Sequence, residues 1–172
     1  MKPFIFSKTL IILAYLMFLQ TIGNAQTTFQ RTLGGVSNDR AYSIQKTTDN
    51  GYIITGSTES YGAGLWDVYL LKIDSLGDIQ WAKTYGGTSS DFGYSVQQTD
   101  DGGYIILGET ANFGAINSDI YIIKTDVNGD TIWTKTLYNT TLVNSTFQQT
   151  TILQTNDGNY IIAGGCCSGA FL

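Results

Sequence analysis

The 172-residue chain contains no histidine, and this absence removes several kinds of chemistry. It excludes histidine general bases, Ser-His-Asp and Cys-His nucleophile systems, and histidine-ligated zinc. Cysteine is scarce as well: the only two, Cys166 and Cys167, are adjacent. Neighbouring residues on a strand point to opposite faces, and a bridge between them would need a strained ring. A disulfide framework is therefore not expected, and a single labile intermolecular bridge stays open.

Basic residues are few, and two of them lie close to the start of the chain. Lys2 and Lys8 precede a short apolar run at residues 10–19, and small residues lead up to Ala25. This pattern predicts a cleaved signal peptide at residues 1–25. The alternative is a membrane anchor, but a run of that length is shorter than the roughly 20 residues needed to cross a bilayer. We expect a secreted or cell-surface protein with no membrane association after cleavage.

The mature chain would be acidic. Removing residues 1–25 takes away two lysines and leaves 7 basic and 14 acidic residues, a net charge of −7. A negative surface repels phosphate backbones, so nucleic acid is not expected as a partner.

What the chain does contain is a repeat. Residues 29–80 align with residues 81–132 without a gap, and 24 of the 52 pairs are identical. An incomplete third copy covers residues 133–172. A period near 50 residues, with several short strands in each unit, favours propeller blades over helical solenoids.

Each unit is predicted to form four strands, rich in β-branched and aromatic residues. In the second copy these are residues 92–99, 104–109, 119–125 and 131–138. The middle strands are almost continuously apolar, as in a sheet that is covered on both faces. Gly and Asn in the connections supply the positive φ of tight hairpins. The fold class predicted is all-β: a partial, open β-propeller of four-stranded antiparallel blades, with about two and a half repeats.

The register of the repeat predicts an unfinished ring. Residues 29–35 match a fourth strand and its crossover, and the third copy supplies only the first two strands. Two and a half blades cannot close a ring of typically four to eight. The expectation is either a truncated product of a longer gene or self-association through the unclosed blades. Trp81 and Trp133, with Phe29 in the equivalent place, are predicted to pack between blades.

The unit W-x-K-T-x-G-G-x-x-x-D-x-x-Y-S-x-Q-x-T-x-D-x-G-Y-I-I-x-G resembles the β-propeller-like repeats of large secreted bacterial and archaeal proteins. The resemblance covers residues 29–165 and implies architecture rather than activity. Full-length members often carry a sorting domain for type IX secretion, which this sequence does not show.

A second resemblance concerns the stretches from Asp74 to Trp81 and from Asp126 to Trp133. They are similar to the tryptophan-docking motif of quinoprotein dehydrogenase propellers, although the Asp-to-Gly spacing is one residue shorter. That motif is structural, and no residue set for a quinone cofactor is visible; no cofactor is predicted.

Two groups of polar residues are candidate sites. Asp126, Asn128 and Asp130 have the alternate spacing of a calcium loop, but the first copy lacks the middle ligand, and these residues also suit a hairpin turn. Asp67 and Asp119 precede the third strand of each copy. Because they recur with the repeat, the expectation is a hydrogen bond to a loop rather than paired-acid catalysis. Ser43 and Ser95 have no base beside them and are expected to make polar contacts only. No catalytic or metal residue is predicted.

The connection between the second and third strands varies between the copies. Tyr61 and Trp66 lie there, and their counterparts are Phe113 and Ser118. A variable loop on a constant scaffold is a usual place for recognition, so these two aromatic residues are predicted to meet a glycan or protein ligand.

The leading hypothesis is a secreted, non-catalytic binding or structural scaffold. The alternatives are an accessory fragment of a polysaccharide-acting enzyme and, third, a quinoprotein-like oxidoreductase fragment.

Overall fold

The computed structural model describes residues 29–112, 118–137, 148–166 and 169–171. The predicted signal peptide and Cys167 lie outside these residues. Every regular element in the described part of the chain is a β-strand, which confirms the predicted all-β class. The strands are β1 (Asp39–Lys46), β2 (Tyr52–Thr58), β3 (Asp67–Ile73), β4 (Ile79–Tyr85), β5 (Asp91–Gln98), β6 (Tyr104–Thr110), β7 (Asp119–Thr125), β8 (Thr131–Leu137), β9 (Gln148–Gln154), β10 (Tyr160–Cys166) and β11 (Gly169–Phe171).

The strands form three antiparallel sheets, which are offset from the sequence repeats: β4 and β8 each run from one repeat into the next. Sheet 1 has the order β1-β2-β3-β4, sheet 2 has β5-β6-β7-β8, and sheet 3 has β11-β10-β9. Strand β7 has the predicted bounds, and β5 begins one residue earlier than predicted. The predicted four-stranded antiparallel unit is thus confirmed for the first two repeats.

The third repeat differs from the prediction of two strands. The short strand β11 pairs with β10, with Gly164 opposite Phe171. Only residues 167–168 separate these two strands, whereas residues 59–66 connect β2 to β3. The sequence after Cys166 no longer follows the repeat, and a long connection such as residues 59–66 is absent between β10 and β11.

Tight turns join the first and second strands of each sheet at equivalent positions. Asn50, Gly102 and Gly158 have φ values of 66°, 82° and 81°. These angles lie in the left-handed region that glycine and asparagine tolerate best. The predicted use of Gly and Asn in these hairpins is confirmed.

Two apolar cores lie between successive sheets, because the middle strands bury both faces. In β6, Tyr104 and Ile106 belong to the core shared with sheet 1, while Ile105 and Leu107 belong to the core shared with sheet 3. We call the Tyr104 side of sheet 2, and the equivalent side of the other sheets, the front face; the opposite side is the back face. The middle strands are apolar at every position because alternate residues enter two different cores.

One aromatic contact recurs at the outer part of each sheet-to-sheet junction. Trp81 meets Tyr104 edge to face at 5.7 Å between ring centroids, and Trp133 meets Tyr160 in the same way at 6.1 Å. Phe29 meets Tyr52 at 6.3 Å, although residues 29–35 belong to no strand. Edge-to-face pairs at such distances are favourable beyond their buried area. The predicted packing is confirmed between sheets for Trp81 and Trp133, whereas Phe29 packs on sheet 1 alone among the described residues.

Candidate binding surface

Hydrogen-bonded carboxylates organise one end of sheet 1. Asp39 lies opposite Thr58 in the strand register. Its Oδ2 accepts hydrogen bonds from the Gly35 amide at 2.7 Å and from Ser60 Oγ at 2.8 Å, and Thr58 donates to Oδ1. Burial alone would raise the pKa of Asp39, but these hydrogen bonds lower it overall. The carboxylate therefore fixes the Gly-Gly crossover to the strand end.

Sheet 2 repeats this arrangement with Asp91, which is fully buried. Its Oδ2 accepts from the Gly87 amide at 2.9 Å and from Asn112 Nδ2 at 2.7 Å, while its Oδ1 has no partner among the described residues. Asp67 of sheet 1 lies beside it: a Cβ on Gly86 would meet Asp91 Oδ2 at 2.3 Å and Asp67 Oδ1 at 2.6 Å. Two carboxylates thus face each other at the junction of the sheets.

The environment of Asp67 favours its neutral form. Burial, chiefly, and the charge of Asp91 raise the pKa of this carboxyl group, against a hydrogen bond from the Gly64 amide at 2.9 Å. That hydrogen bond confirms the predicted contact of Asp67 with its loop. Asp119, its counterpart in sheet 2, is also buried at the start of its strand.

Sheets 1 and 2 each bury a lysine that the sequence reasoning did not single out. Lys72 Nζ lies 2.8 Å from Asp49 Oδ2, and Lys124 Nζ lies 2.9 Å from Asp101 Oδ2, with both lysines almost fully buried. The available signal was a lysine at the same place in two otherwise apolar strands. Hydrogen bonds lower the pKa of both aspartates to about 2: chiefly from Lys72 and then Thr47 for Asp49, and chiefly from Thr99 and then Lys124 for Asp101.

Asp126, Asn128 and Asp130 form the turn between β7 and β8. Asp126 Oδ1 accepts the backbone amides of Asn128 and Asp130, both at 2.8 Å. Asp130 Oδ1 pairs with Lys83 Nζ of sheet 1 at 2.8 Å. These oxygens bind the turn and the neighbouring sheet, as the hairpin-turn interpretation of these residues expects.

The structure separates the two aromatic residues predicted to bind a ligand. Tyr61 stacks on Tyr69 at 5.8 Å between centroids, and its hydroxyl donates to the Gly34 carbonyl at 3.3 Å. Trp66 instead stacks on Phe92 of sheet 2 at 5.8 Å. Its neighbour Asp67 begins β3, and the Trp66 carbonyl accepts the Asp91 amide at 2.8 Å. Tyr61 thus lies against its own sheet, whereas Trp66 lies at the junction with the next.

Trp66 belongs to a continuous aromatic row that the sequence reasoning missed. The Arg40 guanidinium lies 4.7 Å from the Trp66 ring centroid, which is a cation–π contact. Phe92 stacks on Tyr94 at 6.2 Å, and Tyr94 meets Tyr42 at 5.3 Å. We call these residues the aromatic row; they are Arg40, Tyr42, Trp66, Phe92 and Tyr94. Tyr42 is 42% exposed and Arg40 is exposed, so part of the row is accessible to a ligand.

A buried acid lies behind the row. Glu109 is 7% exposed, and it stands opposite Phe92 in the pairing of β5 with β6. It hydrogen-bonds Tyr94, and burial together with this carboxylate raises the pKa of the tyrosine. The acid fixes the orientation of the tyrosine ring within the row.

Most of these residues are not shared between the repeats. Arg40 aligns with Phe92, Trp66 with Ser118, and Ser57 with Glu109. Core positions that differ mostly exchange one apolar residue for another, as Leu70 and Ile122 do, whereas these positions change in chemical type, as at a variable binding surface. A comparison of the two copies for differences, rather than identities, would have singled out Arg40, Trp66 and Glu109. It would not have shown that these side chains lie close together in the fold.

No protein-family model matches the chain, and a search of the curated proteins gives no match. Among the described residues, no group of three or more His, Cys, Asp or Glu side chains could hold a metal ion. In the same part of the chain, no helix is long and apolar enough to cross a membrane.

Proposed function

We propose that this chain is an exported β-propeller-like scaffold that acts by binding, without catalysis. The recurring junction supports the propeller-like architecture. The first strands of successive sheets, β1, β5 and β9, are neighbours, and each sheet meets the next through the same aromatic pair. Blades placed around an axis that is lined by their innermost strands would make these contacts.

The binding role rests on one observation: Arg40, Trp66 and Phe92, which differ between the repeats, converge on the shared tyrosines Tyr42 and Tyr94 in the aromatic row. A row of rings with an exposed cation at one end suits a ligand with flat apolar faces and some negative charge. A polysaccharide carrying carboxylate groups has both features, because sugar rings pack on aromatic side chains and carboxylates pair with Arg40. The repeated acids, in contrast, are occupied by strand ends and turns.

Affinity electrophoresis in gels containing polygalacturonate, alginate or neutral xylan tests this function. We expect the acidic polysaccharides to retard the protein, and the Tyr42→Ala variant to migrate freely. Tyr42 is 42% exposed, so this variant should fold normally. The matched control is Tyr61→Ala, which removes an exposed tyrosine outside the row and should leave retardation unchanged. Equal retardation of wild type and Tyr42→Ala, or none with any polysaccharide, would contradict the proposal.

The proposed export has its own test. N-terminal sequencing of chain recovered from the periplasm or medium of an expression host should begin at Gln26. Material that retains Met1, or that stays inside the cell, would argue against a cleaved leader.

A further inference from the structure

Every internal junction joins the back face of one sheet to the front face of the next. The back face of sheet 1 supplies Ile53, Val68 and Leu70 to the first core, and the front face of sheet 2 supplies Val96 and Ile106. The second core joins the back face of sheet 2 to Ile152 and its neighbours on the front face of sheet 3. The two faces of a sheet are therefore different and complementary.

Both ends of this stack expose the residues that the internal junctions bury. On the front face, Ile44 of sheet 1 is 62% exposed, whereas its counterparts Val96 and Ile152 are 6% and 1% exposed. On the back face, Ile161 of sheet 3 is 49% exposed, whereas Ile53 and Ile105 are fully buried. Leu153, also on sheet 3, is 55% exposed. The chain thus presents one open front face and one open back face.

Residues 29–35 cover part of the front face of sheet 1. Residues 29–35 lie over its outer part as β4 lies over sheet 2: Phe29 meets Tyr52, and Arg31 pairs with Asp78 at 2.8 Å. Beside this segment, a cleft of about 360 Å³ is lined by the apolar Ala41, Ile54 and Leu71 and also by charged residues, which are Arg31, Asp39 and Arg40. The inner part of this face is therefore open, while its outer part carries the equivalent of a fourth strand.

Sheet 3 has the complementary deficiency. Among the described residues it contains β9, β10 and the three-residue β11, with no counterpart of β4 or β8. If sheet 3 of another copy docked on the front face of sheet 1, residues 29–35 would lie beside it at the position that β4 holds in sheet 1 and β8 holds in sheet 2.

We propose that the front face of sheet 1 receives the back face of sheet 3 from a second copy of this chain. Each copy offers one face of each kind, so two copies make two such contacts and bring six sheets into one ring. Closed propellers typically contain four to eight sheets. A contact between different surfaces closes into a ring when the rotation permits and otherwise gives open assemblies. This inference rests on the propeller-like architecture proposed above.

Sedimentation velocity on the full chain, exported by an expression host, tests the inference with charges placed at the two faces. The wild type should have twice the mass of one chain. Ile44→Asp and Ile161→Asp should each have the mass of one chain at the same concentration. Both side chains are exposed in the single copy, so circular dichroism should show unchanged strand content. The control, Val127→Asp, changes an equally exposed side chain (56%) in the turn after β7 and should remain a dimer.

Mixing the variants distinguishes this contact from other dimers. Ile44→Asp keeps an intact back face and Ile161→Asp keeps an intact front face, so an equimolar mixture should regain the dimer mass through one contact. A wild type that is folded but monomeric, an open polymer, or variants that do not complement each other would overturn the inference. The gel assay with polysaccharides is a separate measurement, so it tests the binding function whichever of these assembly results is found.

Discussion

Gly129 of sheet 2 lies against the indole ring of Trp81 from sheet 1. A Cβ at position 129 would come within 2.8 Å of a ring carbon, and the backbone there has a φ of 78°. The carbonyl of the same residue accepts a hydrogen bond from Tyr85 Oη at 2.6 Å. Gly77 lies against Phe29 in the same way. The glycine in the Asp-x-x-Gly turn therefore packs against the tryptophan of the preceding sheet, rather than against Trp133, which follows it in sequence.

The Gly129→Ala variant should be destabilised for two reasons, the positive φ and the clash with Trp81. Gly102→Ala is the matched control, because Gly102 has a φ of 82° but no atom lies within 4 Å of the place that an alanine Cβ would take there. We expect the control to lose about 1 kcal/mol, and Gly129→Ala to lose about 2–4 kcal/mol. Urea unfolding measures both. Equal losses would show that the indole does not occupy the place assigned to it.

Replacement of Trp81 by Ala should lower the free energy of unfolding by about 2–4 kcal/mol, because the ring is partly buried between two sheets. Ile132→Ala, on the exposed side of β8, serves as the control and should change stability by about 0.5 kcal/mol or less. Thermal unfolding followed by circular dichroism gives the comparison. A Trp81→Ala variant as stable as the control would refute the packing of sheets through this residue.

Replacing Asp101 should destabilise the fold more than replacing Lys124, its partner in the ion pair. Asp101→Ala leaves a buried ammonium group without its carboxylate and removes hydrogen bonds that hold the turn, at a cost of about 1–3 kcal/mol. Lys124→Met keeps the volume and removes the buried charge, and it should cost less than Asp101→Ala. Chemical denaturation of both variants tests this order. The reverse order would mean that the lysine is not desolvated as its position indicates.

Acid should weaken the fold through Asp49 and Asp101. The folded-state pKa of each is lowered to about 2, below the ordinary value of 3.8, so their stabilisation is complete above pH 4 and is lost as the pH falls toward 2. NMR titration of the two side-chain carboxyl groups should give midpoints near 2. Midpoints near 4 would contradict the ion pairs with the buried lysines.

Asp67 should behave in the opposite way. Its pKa is raised, so its charge costs stability at neutral pH, and the cost disappears as the pH falls through the folded-state pKa toward 3.8. Asp67→Asn removes this charge beside Asp91, and we expect a higher melting temperature at pH 7 and a smaller gain at acidic pH. Asp39→Asn, where the pKa is lowered, should instead reduce the melting temperature at pH 7. A shift in the same direction for both variants would contradict the assigned environments.

The sequence was most informative where one repeat could be compared with another. The bounds of β7, the positive φ at Gly102 and the burial of both faces of β6 follow from alternation, turn chemistry and apolar runs, all of which are local. Strand β11 was missed because the residues that form it do not follow the repeat.

The candidate surface depended on contacts that local patterns do not contain. Arg40 and Phe92 align with each other, yet both contact Trp66, because β1 and β5 become neighbours only when the sheets stack. The sequence shows Lys72 in an apolar strand, and only the fold brings Asp49 to its ammonium group. Relationships between sheets, unlike those within a strand, require the tertiary arrangement.

The most direct test of the stacked-sheet account is an NMR measurement of contacts between aromatic rings in the isotope-labelled chain. The account predicts nuclear Overhauser effects between the rings of Trp81 and Tyr104, and a second set between Trp133 and Tyr160. Spectra in which Trp81 shows contacts only to residues of β3 and β4, and none to β6, would contradict it.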